Sequence, residues 1–171
     1  MALIKTVKGI APKFGKNCFL AENATVVGEV VFGDNCSVWF NAVVRGDVNS
    51  IVIGNNTNIQ DGAIIHCTYQ TAKTVIGNNV SIAHNAIVHG CTIHDNVLIG
   101  MGAIIMDDAV VHSGSIIAAG AVVLEGTIIE PNCIYAGIPA KKVKEVGDNR
   151  KDVFERTAKN YIMYSKWFDE E

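Results

Sequence analysis

The sequence predicts an all-β solenoid of stacked six-residue repeats with an α-helix at its C-terminal end. Three features predict it: an apolar residue every six positions, a small or β-branched residue four places after each, and Gly, Asn or Asp between them. The lead residues run Phe14, Leu20, Val26, Phe32, Val38, Val44 and, after three extra residues, Ile53, Ile59, Ile65. After five more extra residues they resume at Ile76, Ile82 and Val88, drop one residue, and continue in steps of six from Ile93 to Tyr135. The small positions include Cys18, Ala24, Ala42, Ala63, Ala86 and Ala103, with Tyr69 and Pro139 as exceptions. A helix needs apolar spacings of three and four, and an amphipathic strand needs longer alternation, so neither fits. Segments such as Gly33-Asp34-Asn35 and Gly77-Asn78-Asn79 supply a corner after each short strand. Three repeats close one triangular coil; coils stack ~4.8 Å apart with the leads inside.

The period covers residues 14 to about 140 and then disappears. From Asp148, the spacing of Val153, Phe154, Ala158, Tyr161, Ile162 and Phe168 is mostly helical, with Asp148 or Asn149 as the cap. The expected organisation is a solenoid domain over 1–147 and a helix over 148–171 that packs along the prism or on a neighbouring subunit.

At 171 residues the chain suits one domain. Fourteen basic against 17 acidic residues leave no excess of positive charge for phosphates or anionic lipid, which argues against nucleic acid and membrane partners. Met1-Ala2-Leu3-Ile4-Lys5 lacks the apolar core and cleavage site of a secretory signal, and no apolar run reaches the ~20 residues of a membrane span. Five cysteines without pairing motifs suit a reducing compartment, so a cytoplasmic location is expected.

The repeat phase assigns every polar residue a face. With faces A, B and C led by Ile53, Ile59 and Ile65, the residues following the leads on face C read Val27, Arg45, His66, His89, Met106, Leu124. His66 and His89 are therefore stacked one rung apart and able to share a metal ion. His84 falls on face B, one coil above Asp61, and points away from that pair. A neighbouring prism related by three-fold symmetry would supply it, which predicts a homotrimer with metal sites between subunits. An isolated surface histidine usually does nothing; three in register with Arg45, Gln60 and Asp61 point to metal binding. His94 and His112 stack on face A, where a solvated surface is the simpler reading. Cys18, Cys36 and Cys133 fall at inward small positions and read as core thiols. Cys67 and Cys91 neighbour His66 and the His89 segment in sequence, but three histidines already fill the ligand set.

The segments Asn41-Ala42-Val43-Val44-Arg45-Gly46-Asp47, Asn58-Ile59-Gln60-Asp61-Gly62 and His84-Asn85-Ala86-Ile87-Val88-His89-Gly90-Cys91 resemble the signature segments of the γ-class carbonic anhydrases and their relatives. These belong to the hexapeptide-repeat superfamily, and the likeness spans nearly the whole chain. The resemblance implies a left-handed parallel β-helix. It also implies His66, His84 and His89 as metal ligands, two from one subunit and His84 from the next, with zinc as the default ion and iron(II) or cobalt(II) as other suitable ions. Gln60 would hydrogen-bond the bound water or substrate. Arg45 and Asp61 would form an ion pair near the interface, supported by Asp47. Asn160 and Tyr161 are site neighbours from the helix, or simply packing residues. The implied chemistry is hydration of carbon dioxide to bicarbonate by a water activated on the metal.

Two positions depart from that resemblance. Strongly active archaeal-type members carry glutamates where this chain has Val48 and Tyr69, and their long acidic loop is absent, so the proton shuttle is unidentified. The segment Ala136-Gly137-Ile138-Pro139-Ala140-Lys141 is shared with hexapeptide acyltransferases. Acyl transfer or thioester hydrolysis with coenzyme A therefore stands as the alternative chemistry, although the loops near Asn49-Ser50 and Gln70 to Lys73 hold no histidine to serve as base. A non-catalytic metal-holding trimer is the third reading.

Overall fold

A computed structural model describes residues 1–147 and 152–168 and shows a left-handed parallel β-helix of about seven turns with one C-terminal helix. Face B is a single sheet of Phe19–Leu20, Ser37–Val38, Asn58–Ile59, Ser81–Ile82, Leu98–Ile99, Ile116–Ile117 and Cys133–Ala136. Faces C and A form one sheet because Val43–Ile53 runs unbroken around their shared corner. The three residues added after Val44 lie in this strand.

The lead residues stack as the period requires: Ile59 pairs with Val38 below and Ile82 above, and Ile65 with Val44 and Val88. From Ile53 to Ile129 every lead is at most 1% exposed, so the interior is a continuous column of Ile and Val closed by small residues such as Ala63 and Ala86. At ~1.5–3 kcal/mol for each buried aliphatic side chain, this column is the main source of stability. The corners are held by asparagines in the left-handed conformation. Asn17, Asn35, Asn56, Asn79 and Asn96 all have φ near +55°, and each of the first four donates its amide to the next at 3.0–3.2 Å. Asparagine tolerates this conformation better than other residues bearing a side chain. Gly28 has no substitute: its φ is +76°, and a Cβ there would lie 2.2 Å from the Gly46 carbonyl oxygen.

Two features lie outside the sequence period. Leu3–Lys5 pairs in parallel with Thr25–Val27, so the ladder starts before Phe14. These residues are exposed because no coil lies beneath them. After Pro139, Lys141–Glu145 turns back antiparallel on Cys133–Ala136 and covers the edge of the last coil.

The helix Val153–Ser165 lies on face B of its own prism. Phe154 packs with Ile116, Ile134 and Val146 near the last coils. Tyr161 meets Trp39 edge to face with centroids 5.4 Å apart, and Phe168 reaches Phe19 and Phe40. The helix thus runs back toward the first coils. The residue before it is Asp152, whose side chain makes no capping bond; the expected caps Asp148 and Asn149 lie outside the described residues.

Candidate metal centre

The candidate ligands fall on two different faces. On face C, parallel pairing sets His66 directly beside His89, and His66 Nδ1 lies 3.0 Å from His89 Nε2. The outer nitrogen of each ring meets a carboxylate: His66 Nε2 is 3.1 Å from Asp47 Oδ1, and His89 Nδ1 is 2.5 Å from Asp107 Oδ1. Arg45 Nη1 holds the second oxygen of Asp47 at 2.6 Å, and the Thr68 hydroxyl donates to the second oxygen of Asp107 at 2.5 Å. On face B, His84 Nδ1 lies 3.0 Å from Asp61 Oδ2.

A carboxylate can only accept, so each nitrogen facing one carries the hydrogen. In neutral rings the lone pairs are then on His66 Nδ1, His89 Nε2 and His84 Nε2. The first two lone pairs face each other with no donor between them, an arrangement that a cation relieves. Two nitrogens bound to one tetrahedral ion at ~2.0–2.1 Å stand roughly 3.3 Å apart, close to the observed spacing. Carboxylates on the outer nitrogens are also the usual support for metal-ligating imidazoles. The donor set therefore fits a divalent metal such as zinc. Among the described residues, however, no three His, Cys, Asp or Glu side chains within one chain converge to hold a metal. A third ligand for such an ion would have to come from elsewhere.

The local electrostatics favour an uncharged His66. Burial, with the nearby charges of Arg45 and His89, lowers the His66 pKa despite Asp47. Burial acts to raise Asp47, but Arg45 and the His66 N–H outweigh it and hold the carboxyl below its ordinary value. Burial likewise opposes ionisation of Asp107, and the Thr68 hydroxyl and His89 override it.

The other expected site residues fall as follows. Gln60 is buried on face B, its amide donating to Asn58 Oδ1 at 3.0 Å, while Asn58 donates to Ser81 Oγ at 2.9 Å. Asp61 follows it in sequence and is near enough to Tyr161 for its charge to count: burial, then Asp61 and Tyr164, push the Tyr161 hydroxyl up to about 12. Asn160 is half-buried on the helix. Within one chain Arg45 pairs with Asp47 and Asp61 with His84, so an Arg45–Asp61 pair would have to form between subunits. Cys67 and Cys91 are buried thiols. Burial raises both pKa values, that of Cys91 to about 12, which makes them poor thiolate ligands. His94 and His112 stack with centroids 5.0 Å apart and rings near parallel. Sequence reasoning missed Asp107 and Thr68. Asp107 lies one coil above Gly90 in the repeat, so extending the face C reading by one position would have found it.

Comparisons with known proteins agree with this architecture. The family model described as bacterial transferase hexapeptide (six repeats) matches residues 73–107 and 90–125. A solved hexapeptide transferase family protein from Anaplasma phagocytophilum superposes with a TM-score of 0.93 at 37% identity, covering 97% of this chain and 98% of that one. The class is thus the hexapeptide-repeat β-helix. A protein of Methanocaldococcus jannaschii called a probable carbonic anhydrase is 43% identical over 151 residues, 88% of this chain and 94% of its own length. The carbonic anhydrase of Geobacillus kaustophilus is 38% identical over 97% of this chain and 91% of its own length. The chain belongs to the γ-carbonic anhydrase-like family. It spans 56% of the length of the mitochondrial γ carbonic anhydrase 2 of Arabidopsis thaliana, to which it is 38% identical over 89% of this chain.

Proposed function

We propose that the chain is a metal-dependent carbonic anhydrase that interconverts carbon dioxide and bicarbonate at sites between the subunits of a homotrimer. The observation that carries this reading is the facing pair of ring nitrogens on His66 and His89, 3.0 Å apart, with a carboxylate behind each ring. His84, backed by Asp61, offers the same donor from another face. In a closed three-fold ring the face C half-site of one subunit meets the His84 half-site of the next. The apolar surface around the histidines supports burial there: Ile64, Met106 and Leu124 on face C are 38–47% exposed, and Met101, one coil above His84, is 59% exposed.

His66 and His89 of one subunit with His84 of the next would hold a divalent metal, zinc by default and iron(II) or cobalt(II) also suited, which would supply Lewis acidity able to lower the pKa of water to about 7. The residues divide the remaining work. Asp47 and Asp61 keep hydrogen on the outer nitrogens of His66 and His84 so that the inner ones stay free to donate. Arg45 keeps Asp47 charged. Gln60, its amide fixed by Asn58, orients water or bicarbonate by hydrogen bonding at the face B half-site. Neither Val48 nor Tyr69 offers a carboxylate; the Tyr69 ring lies 5.7 Å beneath the Lys8 ammonium, and its hydroxyl accepts from Gln70 at 2.9 Å. Protons therefore leave through solvent or buffer, and turnover should rise with buffer concentration.

The test is stopped-flow hydration of carbon dioxide by protein loaded with zinc, or anaerobically with iron(II), with His89→Ala as control. Metal-dependent turnover lost in the variant supports the proposal. One bound metal per subunit without turnover would favour a binding role. The similarity to transferase-named proteins motivates a parallel check: thermal protection by coenzyme A would favour acyl chemistry.

A further inference from the structure

We infer that Asp107, clamped by Thr68, is the positioning residue that fixes the tautomer and ring orientation of His89. The inference rests on the proposed metal reading. Asp107 lies on the coil above His89, two residues after Ile105, which pairs with Val88. Its Oδ1 faces His89 Nδ1 and its Oδ2 takes the Thr68 hydroxyl, both at 2.5 Å, so each oxygen already accepts a short hydrogen bond that fixes the carboxylate. Its position behind the ring, away from His66, gives it an orienting role. An imidazole on an sp³–sp² bond has a broad, nearly two-fold torsion. Without an acceptor at Nδ1, the ring is free to flip or to shift its hydrogen to Nε2, which would aim an N–H at His66 in place of a lone pair.

Thr68 ties the two ligands together. It lies two residues after His66, in the loop created by the five-residue addition, and the loop is itself anchored. Thr68 N donates to Ala72 O at 2.9 Å, and Asn49 Nδ2 donates to Thr68 O at 3.2 Å. Thr74 Oγ1 donates to His66 O at 2.5 Å and accepts from Gly90 N at 3.0 Å. The loop after one histidine thus holds the carboxylate that orients the other. A hydroxyl donating to a carboxylate also discourages the carboxylate from rotating away.

Zinc affinity of the intact protein would be measured by competition with a chromophoric chelator, alongside long-range ¹H–¹⁵N spectra of the zinc-loaded protein that report which nitrogen of His89 carries hydrogen. Asp107→Ala should weaken zinc binding roughly 10- to 100-fold, the range for a lost outer partner of a metal-bound histidine. The His89 signals should lose the single Nδ1–H pattern, while assembly and melting temperature stay near those of the parent. Asp107→Asn, which retains an acceptor, should recover part of the affinity, and Thr68→Val should give a smaller loss in the same direction. Unchanged affinity and an unchanged His89 tautomer in both Asp107→Ala and Thr68→Val, with a parent that binds zinc, would overturn the inference alone. A parent that takes up no zinc would overturn the metal reading itself.

Discussion

Each of the three histidines is paired with a carboxylate, and the pairing decides which nitrogen can donate to a metal. His84→Ala should abolish stoichiometric metal binding although its ring is on a different face from His66 and His89; metal analysis of the purified protein checks this. Asp61→Asn should leave the ion bound but more weakly, about 10- to 100-fold. The thiols behave oppositely. Cys91, buried and pushed up to about 12, should stay unlabelled by iodoacetamide at pH 8 in the folded protein and react only after denaturation. Labelling of the native protein at Cys91 would show that the coil around His89 opens. At this scale the histidines were readable because the repeat phase gave each a face. Asp107 was open to the same reading one position further along face C, but its part in the site was not, and neither was that of Thr68. Their role depends on side chains meeting between coils, and Thr68 is in a loop that departs from the period.

At the scale of elements, a short strand of two or three residues gains little alone, and its stability comes from the coils above and below it. Ile105, fully buried between Val88 and Val123, should cost about 2–5 kcal/mol when changed to Ala, measured by denaturant unfolding. The C-terminal helix contributes a pH signature. Tyr161 has its pKa raised to about 12 by burial and by the charge of Asp61, against about 10 in an unfolded chain. The neutral phenol's contribution is fully present below pH 10, where both states hold the proton. As pH rises through 10 toward 12 the unfolded chain ionises first, so that contribution is lost. Tyr161→Phe should flatten this alkaline decline in thermal melting. The helix itself was legible from its apolar spacing, and its seat on face B was one of two options left open, since a stripe of apolar residues does not name its partner. The strand Leu3–Lys5 was missed because it caps the open end of the prism, where its side chains need not follow the inward pattern. The hairpin strand Lys141–Glu145 was missed because it covers an edge and has no lead residue to keep in phase.

For the whole molecule, the solenoid was almost fully legible, because one period fixes strand, corner and core together, and the insertions after Val44 and Ile65 appear as phase jumps. Handedness was not in the period and came from resemblance. The assembly is the step that the single chain points to without containing. Face C offers two of the proposed ligands, and the third histidine faces elsewhere. The most direct measurement is carbon dioxide hydration by mixed trimers made by co-refolding His84→Ala chains with His89→Ala chains in the presence of zinc. Each variant alone should be inactive. In a mixed trimer, a subunit that keeps His66 and His89 can meet a neighbour that keeps His84, so metal binding and turnover should return at up to about one site per trimer. Mixed trimers as inactive as the separate variants, beside an active parent, would contradict a site shared between subunits.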